Sequence, residues 1–134
     1  MLRWAPYLNF RGNARKAMEH YQSIFGGELI LNTADDLGIE LPAQRRNQVM
    51  HAQLTTSAGI VLLASDIHAE DTDQQSSGNL HSIMVYGDEA ETTQVWERLT
   101  ENGTITVPLA RSAWGDFFGA TVDEYGVTWL VNSR

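Results

Sequence analysis

With no cysteine in 134 residues, the chemistry open to this chain rests on four histidines and seventeen acidic side chains. Disulfides, thiolate metal sites and cysteine nucleophiles are thereby excluded. His68, Glu70, Asp71 and Asp73 crowd one polar stretch. They can hold a cation loosely, although charge runs of this kind are more often solvated loops. His81 opens a strand-like run, where a lone histidine is usually a surface or hydrogen-bonded residue. A second set offers aromatic surface with a few hydrogen-bonding groups: Tyr7, Asn9, Trp114, Phe117, Phe118 and Trp129. That mixture suits a small-molecule pocket. Aromatic side chains at strand spacing equally suit a core, and Phe117 and Phe118 cannot share one face of a strand.

These residues need elements to position them. Trp4 to Phe10 reads as a strand ending in a turn at Gly12-Asn13. Asn13 is a suitable N-cap for a helix whose apolar face is Ala14, Ala17, Met18, Tyr21 and Ile24. Gly26-Gly27 ends that helix. Strands follow at Glu28 to Thr33, Val49 to Thr56 and Ile60 to Ala64, with a polar surface loop over Ala34 to Gln48. Asp66 to Asn79 reads as an irregular connection. Leu80 to Tyr86 is again strand-like, and Asp88 with Glu91 makes a capping box for a helix buried through Val95, Trp96 and Leu99. Thr104 to Leu109, Phe117 to Val122 and Val127 to Asn132 complete the chain as strands.

The order strand, helix, three strands therefore occurs twice. Gly27-Glu28-Leu29-Ile30-Leu31 lies over Gly103-Thr104-Ile105-Thr106-Val107, each directly after a helix. The run from Leu54 to Leu63 likewise lies over the run from Thr121 to Leu130, with Gly59 on Gly126. Such a repeat governs the fold. The expectation is one α+β domain, 1–134, made of two tandem βαβββ modules: about 1–66, a linker at about 67–78, and about 79–134.

Paired βαβββ modules resemble the vicinal-oxygen-chelate (glyoxalase, bleomycin-resistance and dioxygenase) superfamily, and the landmarks resemble its PhnB-like branch. They include Pro6-Tyr7-Leu8-Asn9-Phe10, Phe25-Gly26-Gly27-Glu28-Leu29, His51-Ala52, Leu63-Ala64-Ser65-Asp66, Trp114-Gly115 and Asp123 with Tyr125-Gly126-Val127 and Trp129. Ala113 departs from the pattern, which usually has an aromatic before Trp114. The resemblance implies two curved sheets forming a cup that receives a small molecule. Some members of the branch carry a methyltransferase label, but no glycine-rich strand-to-helix loop for a nucleotide-like cofactor stands in this sequence.

Glyoxalase-type members hold a divalent metal through His or Glu on the first and last strand of each module. Alignment through the helix ends puts those positions near Ala5 or Pro6, Leu63 or Ala64, His81, and Leu130. Only His81 among them can ligate, and a stable site takes three or more protein ligands. No metal and no cofactor are therefore expected. The polar residues that the resemblance selects are His51 and the Ser65-Asp66 pair. Adjacent antiparallel strands can bring His51 beside Asp66, an arrangement suited to acid–base work. The structural alternative is that Asp66 caps a turn and His51 satisfies backbone groups. Ser65 has no nucleophile elbow around it.

A formal net charge of −8 with nine scattered Lys and Arg argues against a nucleic-acid partner. No apolar run approaches the ~20 residues that span a bilayer, and no signal peptide is apparent. The expected protein is cytoplasmic and homodimeric, with covered strand edges. It binds a small molecule with Tyr7, Asn9, Trp114, Phe118 and Trp129. The alternative is an enzyme with an unusual metal or none, using His51 and Asp66.

Overall fold

In the computed structural model, residues 3, 5–67, 81–113 and 115–133 are described. The chain splits into two compact units, Met1–Gln74 and Gln75–Arg134. Unit 1 holds β1 (Tyr7–Phe10), α1 (Ala14–Phe25), β2 (Glu28–Thr33), β3 (Val49–Thr55) and β4 (Val61–Asp66), with one short 3-10 turn at Ala43–Arg45. Unit 2 holds β5 (Ile83–Gly87), α2 (Glu89–Thr100), β6 (Thr104–Arg111), β7 (Phe117–Val122) and β8 (Thr128–Ser133). The sheet orders are β1-β4-β3-β2 and β5-β8-β7-β6. In both, the first strand runs parallel to the last, and the other neighbours are antiparallel. The repeat anticipated in the sequence is thus one topology built twice.

Each helix covers one face of its own sheet. In unit 1, Ala14, Ala17, Met18 and Tyr21 are buried on α1 against Ala52, Leu54, Leu62 and Ala64. The small residues Ala52 and Ala64, partners across β3 and β4, let the helix approach closely. In unit 2 the buried indole of Trp96 takes that place. Gly119 on β7 admits it, since a Cβ there would lie 2.8 Å from the ring. Burying side chains such as Tyr21, Met18 and Leu99 contributes about 1.5–3 kcal/mol each.

The turn from helix to second strand uses the same device in both units. A Cβ on Gly27 would overlap the Thr55 carbonyl, and one on Gly103 would lie 2.7 Å from the Val122 carbonyl. Both glycines face the equivalent strand end, as the sequence alignment of the two halves implies. The helix starts differ. Asp88 caps α2 as anticipated, accepting from the Glu91 amide at 2.8 Å. Asn13 makes no side-chain cap on α1, because its backbone is not in the extended conformation that a capping side chain needs. A residue far along the chain fills that role.

Candidate functional site

Strand pleating assigns every residue of the first sheet to a face. Leu8, Ala64, Ala52 and Leu31 form one lateral row by their pairing, on the side covered by α1. The neighbouring rows then fall on the opposite face. One is Tyr7, Leu63, Gln53 and Ile30, partners in succession across all four strands. The other starts with the pair Asn9 and Ser65 and ends with the pair His51 and Asn32. The β3–β4 register, whose last partners are Ala52 and Ala64, runs on toward His51 and Ser65. A register shift beside Asn32 marks a β-bulge next to His51. Bulges of this kind re-aim side chains and recur beside sites.

Asp66 does not join that row. It follows Ser65 directly and so lies on the helix side, 7% exposed. One carboxylate oxygen accepts from the Gly12 amide at 2.9 Å and the Ala14 amide at 3.0 Å; the other accepts from Val49 at 3.0 Å. This carboxylate caps α1 from a strand more than fifty residues away and ties the start of β3 to the end of β4. The expected acid–base pairing of His51 with Asp66 is corrected by this geometry: consecutive strand residues face opposite sides, and His51 shares its face with Ser65. Asn32 and Gln53 escaped the sequence reading. Counting alternate residues outward from His51 would have found Gln53, and the strand pairing places Asn32.

The second sheet sorts the same way. Ile83, Val85, Trp129, Val131 and Ser133 pair on the α2 side. Trp129 is 2% exposed, and its indole N–H donates to the Asp123 carboxylate at 2.8 Å. It is a core residue, which corrects its assignment to ligand contact: its parity with Val131 turns it under the helix. Asp123 also accepts from the Tyr125 and Val127 amides and so shapes the β7–β8 turn. The face opposite α2 carries Met84, Tyr86, Leu130, Asn132, Phe118 and Ala120 by pairing. Met84 and Tyr86 are exposed there. An open depression of about 500 Å³ is lined by Met84, Tyr86, Gly87, Asp88 and Asn132. Phe118 and Phe117 fall on opposite sides, and the Arg111 guanidinium lies 4.8 Å from the Phe117 ring. Trp114, like His68, Glu70, Asp71 and Asp73, lies outside the described residues.

The first and last strands of each unit are the ones that hold a metal in glyoxalase-type proteins. Here the paired residues on the faces opposite the helices are Tyr7 with Leu63, and Met84 with Leu130. His81 is exposed and precedes β5, so it is Met84, not His81, that pairs with Leu130. A divalent transition ion takes imidazole, carboxylate or thiolate, and these four residues do not fit it. Among the described residues no group of three or more His, Cys, Asp or Glu is placed to hold a metal. No described helix is long and apolar enough to cross a membrane.

Comparisons with known proteins agree with this architecture. A family model described as 3-demethylubiquinone-9 3-methyltransferase matches residues 3–132. The chain is similar to protein PA1353 from Pseudomonas aeruginosa, with 33% identity, a TM-score of 0.82, and coverage of 100% of this chain and 98% of that one. It is similar to a PhnB protein from Bacillus cereus, with 25% identity, a TM-score of 0.80, and coverage of 99% and 100%. A glyoxylase/bleomycin resistance protein/dioxygenase domain from Frankia sp. EAN1pec shares the fold at 13% identity and a TM-score of 0.66, covering 99% and 97%.

Proposed function

The chain belongs to the PhnB-like family whose model is described as 3-demethylubiquinone-9 3-methyltransferase, and from that premise we propose that it binds a small molecule on the sheet faces turned away from its helices, without the divalent metal of glyoxalase-type proteins. One observation carries the reading. The strand-pair positions that would supply metal ligands hold Tyr7, Leu63, Met84 and Leu130, while the surrounding faces offer aromatic, apolar and uncharged polar groups. Such a lining suits recognition of a small molecule. The fold offers no support for a methyltransferase activity. Neither sheet is doubly wound, and no glycine-rich loop stands between a strand and a helix N-terminus to cradle a nucleotide-like cofactor.

In this reading the contact residues on the first unit's sheet are His51, Tyr7 and Asn9, and on the second unit's sheet, taken by itself, Phe118. A homodimer in a cytoplasmic setting belongs to the same proposal. Its support is the absence of cysteine and the exposed apolar side chains on edge strands, Ile105 and Val107 on β6 and Ile30 on β2. The enzymatic alternative loses its carboxylate, since Asp66 is committed to three backbone amides.

Two measurements test the reading. Elemental analysis after mild purification should find well under one equivalent of transition metal per chain; a full equivalent retained against a weak chelator would overturn the metal-free part. A ligand library screened by thermal shift should yield compounds whose binding is weakened by His51→Ala while the unliganded melt is unchanged. If His51→Ala unfolds the protein instead, the residue is structural and the site is misplaced.

A further inference from the structure

We propose that Asn9, Ser65, His51 and Asn32 form a recognition row for an uncharged, amide-bearing aromatic compound. This rests on the small-molecule reading and specifies its chemistry. The first observation is Ser65. It is 9% exposed, and its hydroxyl has no hydrogen-bond partner among the described residues. Buried polar groups in native proteins are nearly always paired, so an orphan hydroxyl in a sheet calls for a partner from outside the chain. Ser65 lies on the face opposite α1, directly beside Asn9.

The second observation is the company it keeps. The side chains of Asn9, His51 and Asn32 are also without partners among the described residues, and together with Ser65 they lie across the four strands. At the usual strand spacing the row spans ~14 Å. The carboxamides and the hydroxyl of the row both donate and accept, and an imidazole offers a nitrogen on each side of its ring. A carboxamide pairs two-pronged with another amide, which also donates and accepts in one plane. Asp66, the carboxylate next in sequence to Ser65, is on the other face.

Charge narrows the class. The four strands of this sheet contain no Lys and no Arg. Their one acidic residue on this face, Glu28, stands at the far end with Thr55 and Val61. On the strands themselves a phosphonate or carboxylate would find no fixed cation to offset its desolvation. Tyr7, two residues from Asn9 on the same face and 48% exposed, offers a ring for stacking. Amide on the row and aromatic body on Tyr7 describe the ligand.

The test uses the full chain, isotopically labelled, with benzamide as the compound titrated and benzyl alcohol, benzoate and phenylphosphonate as comparisons. Side-chain amide signals of Asn9 and Asn32 are assigned by their loss in Asn9→Ser and Asn32→Ser. Benzamide should shift them saturably, with benzyl alcohol weaker and both anions without effect. Ser65→Ala should melt as the parent does and weaken benzamide by about threefold to tenfold, the loss of one neutral hydrogen bond. Phenylphosphonate binding as well as benzamide would overturn the proposal, and so would unchanged affinity in Ser65→Ala. Saturable shifts confined to Met84, Tyr86 and Leu130 would overturn it too, while leaving the small-molecule reading intact.

Discussion

Replacing Asp66 separates a structural carboxylate from a chemical one. Its two oxygens accept from three backbone amides, those of Gly12, Ala14 and Val49. In Asp66→Ala the Gly12 amide, on an exposed residue, turns to water at little cost. Ala14 and Val49 are buried, so their amides are left without an acceptor. An unsatisfied buried amide costs about 1–3 kcal/mol, which gives about 2–6 kcal/mol for the two together. The stability of a domain is about 5–15 kcal/mol, so the loss is a large share of it. Urea denaturation followed by far-ultraviolet circular dichroism measures it as a lowered midpoint at unchanged slope. Asp66→Asn should recover only part of the loss, because its NH₂ faces an amide donor where an acceptor is needed. If Asp66→Ala keeps an unfolding free energy within about 1 kcal/mol of the parent and loses ligand binding instead, the structural assignment is wrong. Asp66 would then act on the ligand.

Three further outcomes are expected. Trp129→Phe removes the indole N–H that the Asp123 carboxylate accepts and part of a buried ring, and should cost at least about 1–3 kcal/mol in the same denaturation assay; a silent substitution would return Trp129 to the surface. Gly27→Ala should cost about 1–3 kcal/mol for overlap with the Thr55 carbonyl, with about 1 more for its left-handed backbone, whereas Gly59→Ala, with open space around it, should cost only the latter; equal effects would refute the close approach. The Asp36 carboxyl is held below its ordinary value by the Thr33 amide hydrogen bond first, then the Thr33 hydroxyl, with a smaller pull from Arg15. Its contribution is therefore complete above the ordinary carboxylate value and is lost only as pH falls through the lowered one. A carbon-detected titration of Asp36 with a midpoint at or above the ordinary value would contradict this.

The fold was legible because its signals are local and doubled. Helix faces with period 3.6, turn glycines and the overlay of Gly27 on Gly103 all survive in the structure. The site was legible only in part. Period-two alternation marks which strand residues share a face, but not which face the helix covers; Ala64, Ser65 and Asp66 are all buried, so nothing in that run shows where it turns. Asp66 was thus open to two readings. The pairing of Tyr7 with Leu63 and of Met84 with Leu130 joins strands far apart in the chain. Helix ends fix that register only approximately, and they point to His81 where Met84 stands. Trp129 is chemically the same in a core or in a pocket, and only its pairing with Ile83 and Thr121 shows which it occupies.

The glycines after α1 and α2 carry a consequence for how the two halves can differ. Each seats backbone against backbone, so neither joint depends on the identity of any neighbouring side chain. The halves have kept that joint and parted elsewhere: beside Tyr7, Leu63 and Ile30 the bare side of the first sheet carries a row of amides, hydroxyl and imidazole, whereas that of the second carries methionine, tyrosine, leucine and phenylalanine around Asn132. A repeat locked through its main chain leaves its outward strand positions free to drift. Selection can then rewrite one half's chemistry without disturbing the hinge between helix and sheet, and the other half need not follow.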